Sequence, residues 1–98
     1  MSVAGTYKAS SDTPIGRKEV EISVFQGAAG HFGVLKTEES VYELDEVKVN
    51  GNNFSFSVNL NLPMGAVFST FECSVHGDTL MGEVVTPFAT VDVRGERV

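Results

Sequence analysis

The side chains that could do chemistry in this sequence fall into a few groupings. Glu43 and Asp45 stand two residues apart in an alternating stretch, a spacing that puts two carboxylates on one face of a strand, where they could work as an acid–base pair. Cys73 and His76 form a single Cys-x-x-His, and His31 lies elsewhere. A zinc centre takes about four ligands, usually as two spaced pairs. The second pair is missing, so no metal and no cofactor is expected. A lone Cys73 with no base in reach reads as a small core residue rather than a nucleophile. Tyr7 near one terminus and Arg97 near the other could clamp a ligand or close a fold. Glu38, Glu39, Glu43, Asp45 and Glu46 lack the Asp-x-Asp-x-Asp-Gly pattern of a calcium loop and read as a solvated face. Gly27-Ala28-Ala29-Gly30 is not a phosphate loop, because no helix follows it.

The elements that must position these groups are strands. Phe54-Ser55-Phe56-Ser57-Val58-Asn59-Leu60 alternates strictly, the period of a half-buried strand. Val49-Asn50-Gly51-Asn52 precedes it as a hairpin signal, read as a type I′ turn with Asn50 and Gly51 at its centre. A second tight turn is expected at His76-Gly77, and a weaker one at 27–30. The same reasoning places strands over 3–9, 17–25, 31–37, 41–49, 54–60, 67–75, 79–85 and 88–97. Every connection is short, so successive strands should be neighbours. A meander of this kind removes its two edges by closing. The expected fold is all-β: one domain over 1–98, an eight-stranded antiparallel up-and-down barrel whose first and last strands pair. Tight glycine turns then gather at one end. The loops carrying Ile15, Met64 and Phe88 gather at the other.

Composition sets outer limits. With 98 residues, 42% of them hydrophobic, the chain is large enough for one modest core. A formal net charge of −6 with seven scattered basic residues argues against nucleic-acid binding, which needs clustered Lys and Arg. No apolar run reaches the roughly 18 residues of a membrane helix, so no membrane partner is expected. Met1-Ser2-Val3-Ala4-Gly5 has neither a basic nor an apolar leader segment, and one cysteine excludes an internal disulfide. A cytoplasmic location is the expectation.

Two-residue turns fix registers. Around His76-Gly77, Cys73 should face Leu80, Phe71 should cover Gly82 and Ser69 should face Val84 on the inner side. On the outer side Glu72 should meet Met81, and Phe68 should meet Val85. Around Asn50-Gly51, Val47 should face Phe54, which carries Asp45 opposite Phe56 and Glu43 opposite Val58, all inside. Two carboxylates in an apolar interior are costly. A β-bulge near Leu44 is therefore favoured, turning both carboxylates out and Leu44 or Tyr42 in.

Gly5-Thr6-Tyr7 together with Gly95-Glu96-Arg97 resembles the closure of calycin barrels, the lipocalin and avidin type. In those barrels a Gly-x-Trp on the first strand packs beneath an arginine near the chain end. Here tyrosine replaces the tryptophan, and the chain is far shorter than a lipocalin. The wider pattern is similar to a small bacterial barrel domain. It comprises Thr13-Pro14-Ile15-Gly16, the 49–58 hairpin, Pro63-Met64-Gly65 and the 71–84 hairpin. The resemblance implies a fold and a structural role for Tyr7 and Arg97, and it carries no chemistry. Avidin-type biotin binding is not expected, since those pockets are built from tryptophan and this chain has none.

The leading functional expectation is a non-catalytic barrel binding a small apolar ligand. Its lumen or mouth would be lined by Tyr7, Phe54, Phe56, Ser69, Phe71 and Arg97, with Ile15, Met64 and Phe88 at the loops. One alternative is a solid-core interaction module. Another is a small enzyme using Asp45, Glu43 or Arg97. Outward-facing apolar residues, with Phe68, Met81 and Val85 foremost and Phe25 and Phe32 on another hairpin, lead to the expectation of a homodimer.

Overall fold

Alternation and turn chemistry produce the expected architecture. The computed structural model describes residues 3–13, 16–62 and 65–98. The strands are β1 (Gly5–Thr13), β2 (Gly16–Gly27), β3 (Gly30–Lys36), β4 (Val41–Asn50), β5 (Asn53–Leu62), β6 (Gly65–His76), β7 (Thr79–Val85) and β8 (Thr90–Arg97). They close as an antiparallel barrel in sequence order. The β1–β8 ladder runs from Tyr7 opposite Arg97 to Ser10 opposite Arg94. Pairing β1 with β8 removes the two outer edges that an open meander would leave.

Both glycine hairpins turn one residue later than expected. Asn50 pairs with Asn53 and His76 with Thr79, so the turn centres are Gly51-Asn52 and Gly77-Asp78. Gly51 and Gly77 each have φ of 63°, and no described residue other than glycine has a positive φ. That is the type II′ arrangement, which needs one positive φ, at its first central residue, where type I′ needs two. The displacement moves each pairing by two and leaves every side chain on its expected face. Val49, not Val47, meets Phe54. Val75 meets Leu80, Cys73 meets Gly82 and Phe71 meets Val84. Ser69 lies opposite Val58 on β5 instead of Val84. On the outer face Glu72 meets Glu83, Ser74 meets Met81 and Thr70 meets Val85. The ring of Phe71 therefore does not cover Gly82. A Cβ on Gly82 would lie 2.8 Å from the Cα of Cys73 and 3.1 Å from its Sγ, so the backbones approach too closely there for any side chain.

The bulge near Leu44 forms. His31 pairs with Val47 but Gly33 pairs with Leu44, which sets Phe32 against both Asp45 and Glu46. Leu44 and Val47 are buried, whereas Glu43, Asp45 and Glu46 are exposed. The inner register that carried Asp45 and Glu43 into the lumen is thus overturned, and the desolvation cost of two interior carboxylates is avoided.

The core is an aromatic column inside the barrel. The Tyr7 and Phe54 rings are 6.1 Å apart, Phe54 and Phe56 6.4 Å, and Phe56 and Phe71 4.7 Å, all stacked. Ile22, Val24, Leu35, Leu80 and Val93 pack around the column, none more than 2% exposed. Each fully buried side chain of this size contributes about 1.5–3 kcal/mol, and each aromatic pair about 0.5–1.5 kcal/mol more.

Candidate functional site

The residues expected to line a site divide into a sealed end, a filled middle and a broken wall. At the tight-turn end, Arg97 lies directly opposite Tyr7, with its guanidinium carbon 5.1 Å from the ring centroid. Arg97 Nη1 donates to the Ala4 carbonyl at 2.8 Å, and Nε lies 3.6 Å from the Asp78 carboxylate. The Tyr7 hydroxyl donates to the carbonyl of buried Val3. A Cβ on Gly5 would come within 2.7 Å of Arg97 Nη1, so glycine there makes room for the guanidinium. Burial pushes the Tyr7 phenol above its ordinary range, and Arg97 partly offsets this. These contacts tie the first strand to the last at the tight-turn end.

In the middle, Tyr7, Phe54, Phe56 and Phe71 are at most 4% exposed, and Ser69 is wholly buried. A lumen roomy enough for a ligand would leave such lining atoms accessible to a water-sized sphere. These rings touch one another instead. Ser69 Oγ donates to the Val67 carbonyl, so this buried hydroxyl is satisfied by its own strand. Burial, and then the neighbouring Glu72 charge, push the Cys73 thiol up to about 12, the opposite of what a nucleophile needs. Among the described residues no buried side-chain polar atom lacks a hydrogen bond, and no group of three or more His, Cys, Asp or Glu side chains is placed to hold a metal.

Toward the loop end the inner residues Val20, Tyr42, Val58, Leu60 and Val91 are only half-buried. Phe88 is 76% exposed there. The Thr86 hydroxyl holds its loop, accepting from the Phe88 and Ala89 amides and donating to the Ala89 carbonyl. Ile15 and Met64 lie outside the described residues.

Sequence reasoning did not reveal the break in the wall. The β4–β5 ladder stops after Asn50–Asn53, Val49–Phe54 and Lys48–Ser55. Beyond that point β4 stays with β3, pairing Leu44, Glu43, Tyr42 and Val41 in turn. The two strands meet again where the Asn61 amide donates to the Tyr42 hydroxyl at 2.9 Å. Between these points lies a groove of about 440 Å³. Glu43, Asp45, Glu46 and Lys48 line its β4 side, Ser55, Ser57 and Thr70 the other, and Leu44 and Phe56 also contribute to its lining. The Ser57 and Thr70 hydroxyls bond each other at 2.9 Å. Favouring a bulge was the sequence signal that pointed here, since a bulge re-aims a strand.

The outer apolar face is less continuous than expected. Phe68, Met81 and Val85 are 56%, 44% and 36% exposed. Glu72, Glu83 and Asp92 pair across β6, β7 and β8 in one row that runs between Met81 and Val85. Phe25 and Phe32 form a separate exposed pair, with ring centroids 5.4 Å apart.

No family model matches the chain, and no curated protein or solved structure matches it either.

Proposed function

We propose that the protein is a non-catalytic interaction barrel, a filled core that presents its binding groove in the wall between β4 and β5. The observation that carries this reading is the packing of the aromatic column. Four rings offered as ligand contacts are used up on one another, while the groove of about 440 Å³ opens outward beside them. That volume falls within the usual range for binding sites, roughly 300–1,000 Å³. The carboxylates that an enzyme would need in the interior are exposed on β4. Arg97 is committed to Ala4, Asp78 and the Tyr7 ring.

A second reading, a small apolar ligand seated at the loop-end mouth, is favoured by the half-buried Val20, Val58, Leu60 and Val91. Titration with Nile red, a neutral apolar dye, separates the two. The interaction barrel gives no saturable rise in fluorescence. One dye per chain, lost on Leu60→Trp, would move the site to the mouth and overturn the proposal.

A further inference from the structure

The broken ladder determines which main-chain groups face the groove. In a two-residue hairpin the pair flanking the turn is hydrogen-bonded, and hydrogen-bonded pairs recur at every second residue. Asn53 and Ser55 therefore direct their amides and carbonyls toward β4. The same parity aims the main-chain groups of Ser57, Asn59 and Asn61 that way. The Asn61 amide confirms it, since its partner is Tyr42 Oη on β4. β4 contributes no ladder partner to residues 56–60. On its other side β5 is paired with β6 along its whole length. The groove thus holds a stretch of β5 edge that β4 leaves unpaired.

We propose that this groove takes an extended peptide segment bearing lysine or arginine, which pairs by strand addition with β5 at Ser57 and Asn59. The inference rests on the interaction-barrel reading and specifies its partner. Strand addition supplies main-chain hydrogen bonds, and side-chain pockets supply selectivity. Charge decides the selectivity here. Glu43, Asp45 and Glu46 stand along one bank against the single cation Lys48, in a chain of net charge −6. An acidic peptide would be repelled, and a basic one is steered in. The bulge puts two consecutive carboxylates, Asp45 and Glu46, on the outside of β4. Ordinary alternation would have turned one of them inward.

The test uses the whole chain, labelled with ¹⁵N, and an eight-residue peptide of alternating Lys and Val. In the free protein the Ser57 and Asn59 amides exchange quickly, and the peptide slows them. An alternating Glu and Val peptide leaves them unchanged. A Lys-Val peptide methylated on alternate main-chain nitrogens keeps its charge but cannot pair, and it does not bind. Asp45→Asn with Glu46→Gln, both exposed and so neutral to folding, weakens binding about tenfold, as loss of opposed charge predicts. Equal binding of the methylated peptide would overturn the proposal, since it would reduce the effect to charge alone. So would shifts centred on Glu72, Glu83 and Asp92, slow Ser57 exchange in the free protein, or a dimer in sedimentation with the same amides protected by a second copy. Saturable Nile red binding would instead remove the interaction-barrel reading beneath it.

Discussion

β5 has two unlike edges. Toward β6 it keeps register for ten consecutive pairs, from Asn53–Ser74 to Leu62–Gly65. Toward β4 it keeps register for three. The strand itself is the same on both sides, so its own alternation cannot explain the difference. The partners do. Along β6, small or apolar side chains meet the inner row of β5: Phe71 opposite Phe56, Ser69 opposite Val58 and Val67 opposite Leu60. β4 takes an extra residue at Asp45 and Glu46, bends there and remains with β3. A closed barrel can therefore carry an incomplete ladder beside a bulge that keeps charge out of the core. Closure and full pairing are separate properties.

The strongest way to break this comparison is on the well-paired side. Phe71→Ala removes a ring stacked 4.7 Å from Phe56, and urea unfolding should register a loss of about 3–5 kcal/mol. A loss under about 1 kcal/mol would mean the column does not hold β5 to β6.

Alkaline pH sharpens the same side. The Cys73 thiol rises from its ordinary 9.0 to about 12 on burial. Between those values the unfolded chain releases a proton that the folded chain keeps, so the unfolded state binds fewer protons. The stability is complete below pH 9 and falls as pH rises, by up to about 1.4 kcal/mol per unit. The raised Tyr7 phenol acts in the same direction. Urea midpoints measured across this range should decline, and Cys73→Ala should flatten the first part of the decline.

On the broken side the effects are smaller. Tyr42→Phe deletes the acceptor of the Asn61 amide, at a cost of about 0.5–1.5 kcal/mol. Hydrogen exchange should quicken at Asn61 while the β6-facing amides of Phe56 and Val58 stay slow. Equal quickening on both sides would show that the two edges open together. The smallest effect is a gain. Glu83 lies between Glu72 and Asp92, and like charges directly opposite are unfavourable. Glu83→Thr should therefore raise the urea midpoint by an amount equivalent to about 0.2–1 kcal/mol.

The fold was legible because its signals are local. Alternation in 54–60 and the glycine at each hairpin need no tertiary information. Facing survived even where pairing was displaced: whichever central residues are assigned to the 51–52 and 77–78 turns, the shift is by two. The pairs themselves were not legible, since Asn-Gly fits more than one placement in a turn. The desolvation argument for Asp45 and Glu43 reached the bulge, because cost alone forbids the inner register. It could not reach the groove, which depends on β4 choosing β3 over β5 once it has bent. Filling of the lumen was equally hidden. The sequence places Tyr7, Phe54, Phe56 and Phe71 on the inner face, but only ring-to-ring distances show that they occupy it.

The loop from Thr86 to Ala89 has a twin. In 37–40 the Thr37 hydroxyl accepts from the Glu39 and Ser40 amides and donates to the Ser40 carbonyl, while the Thr37 amide also donates to that carbonyl. One loop reads Thr-Glu-Glu-Ser and the other Thr-Pro-Phe-Ala. The shared bonds use the threonine and the main chain, and the side chains of the other three positions take no part. Both loops are therefore grafting sites. The middle residues, Glu38 with Glu39 and Pro87 with Phe88, can be diversified on a rigid frame while each threonine keeps its loop in shape, which makes the barrel a small two-loop display scaffold.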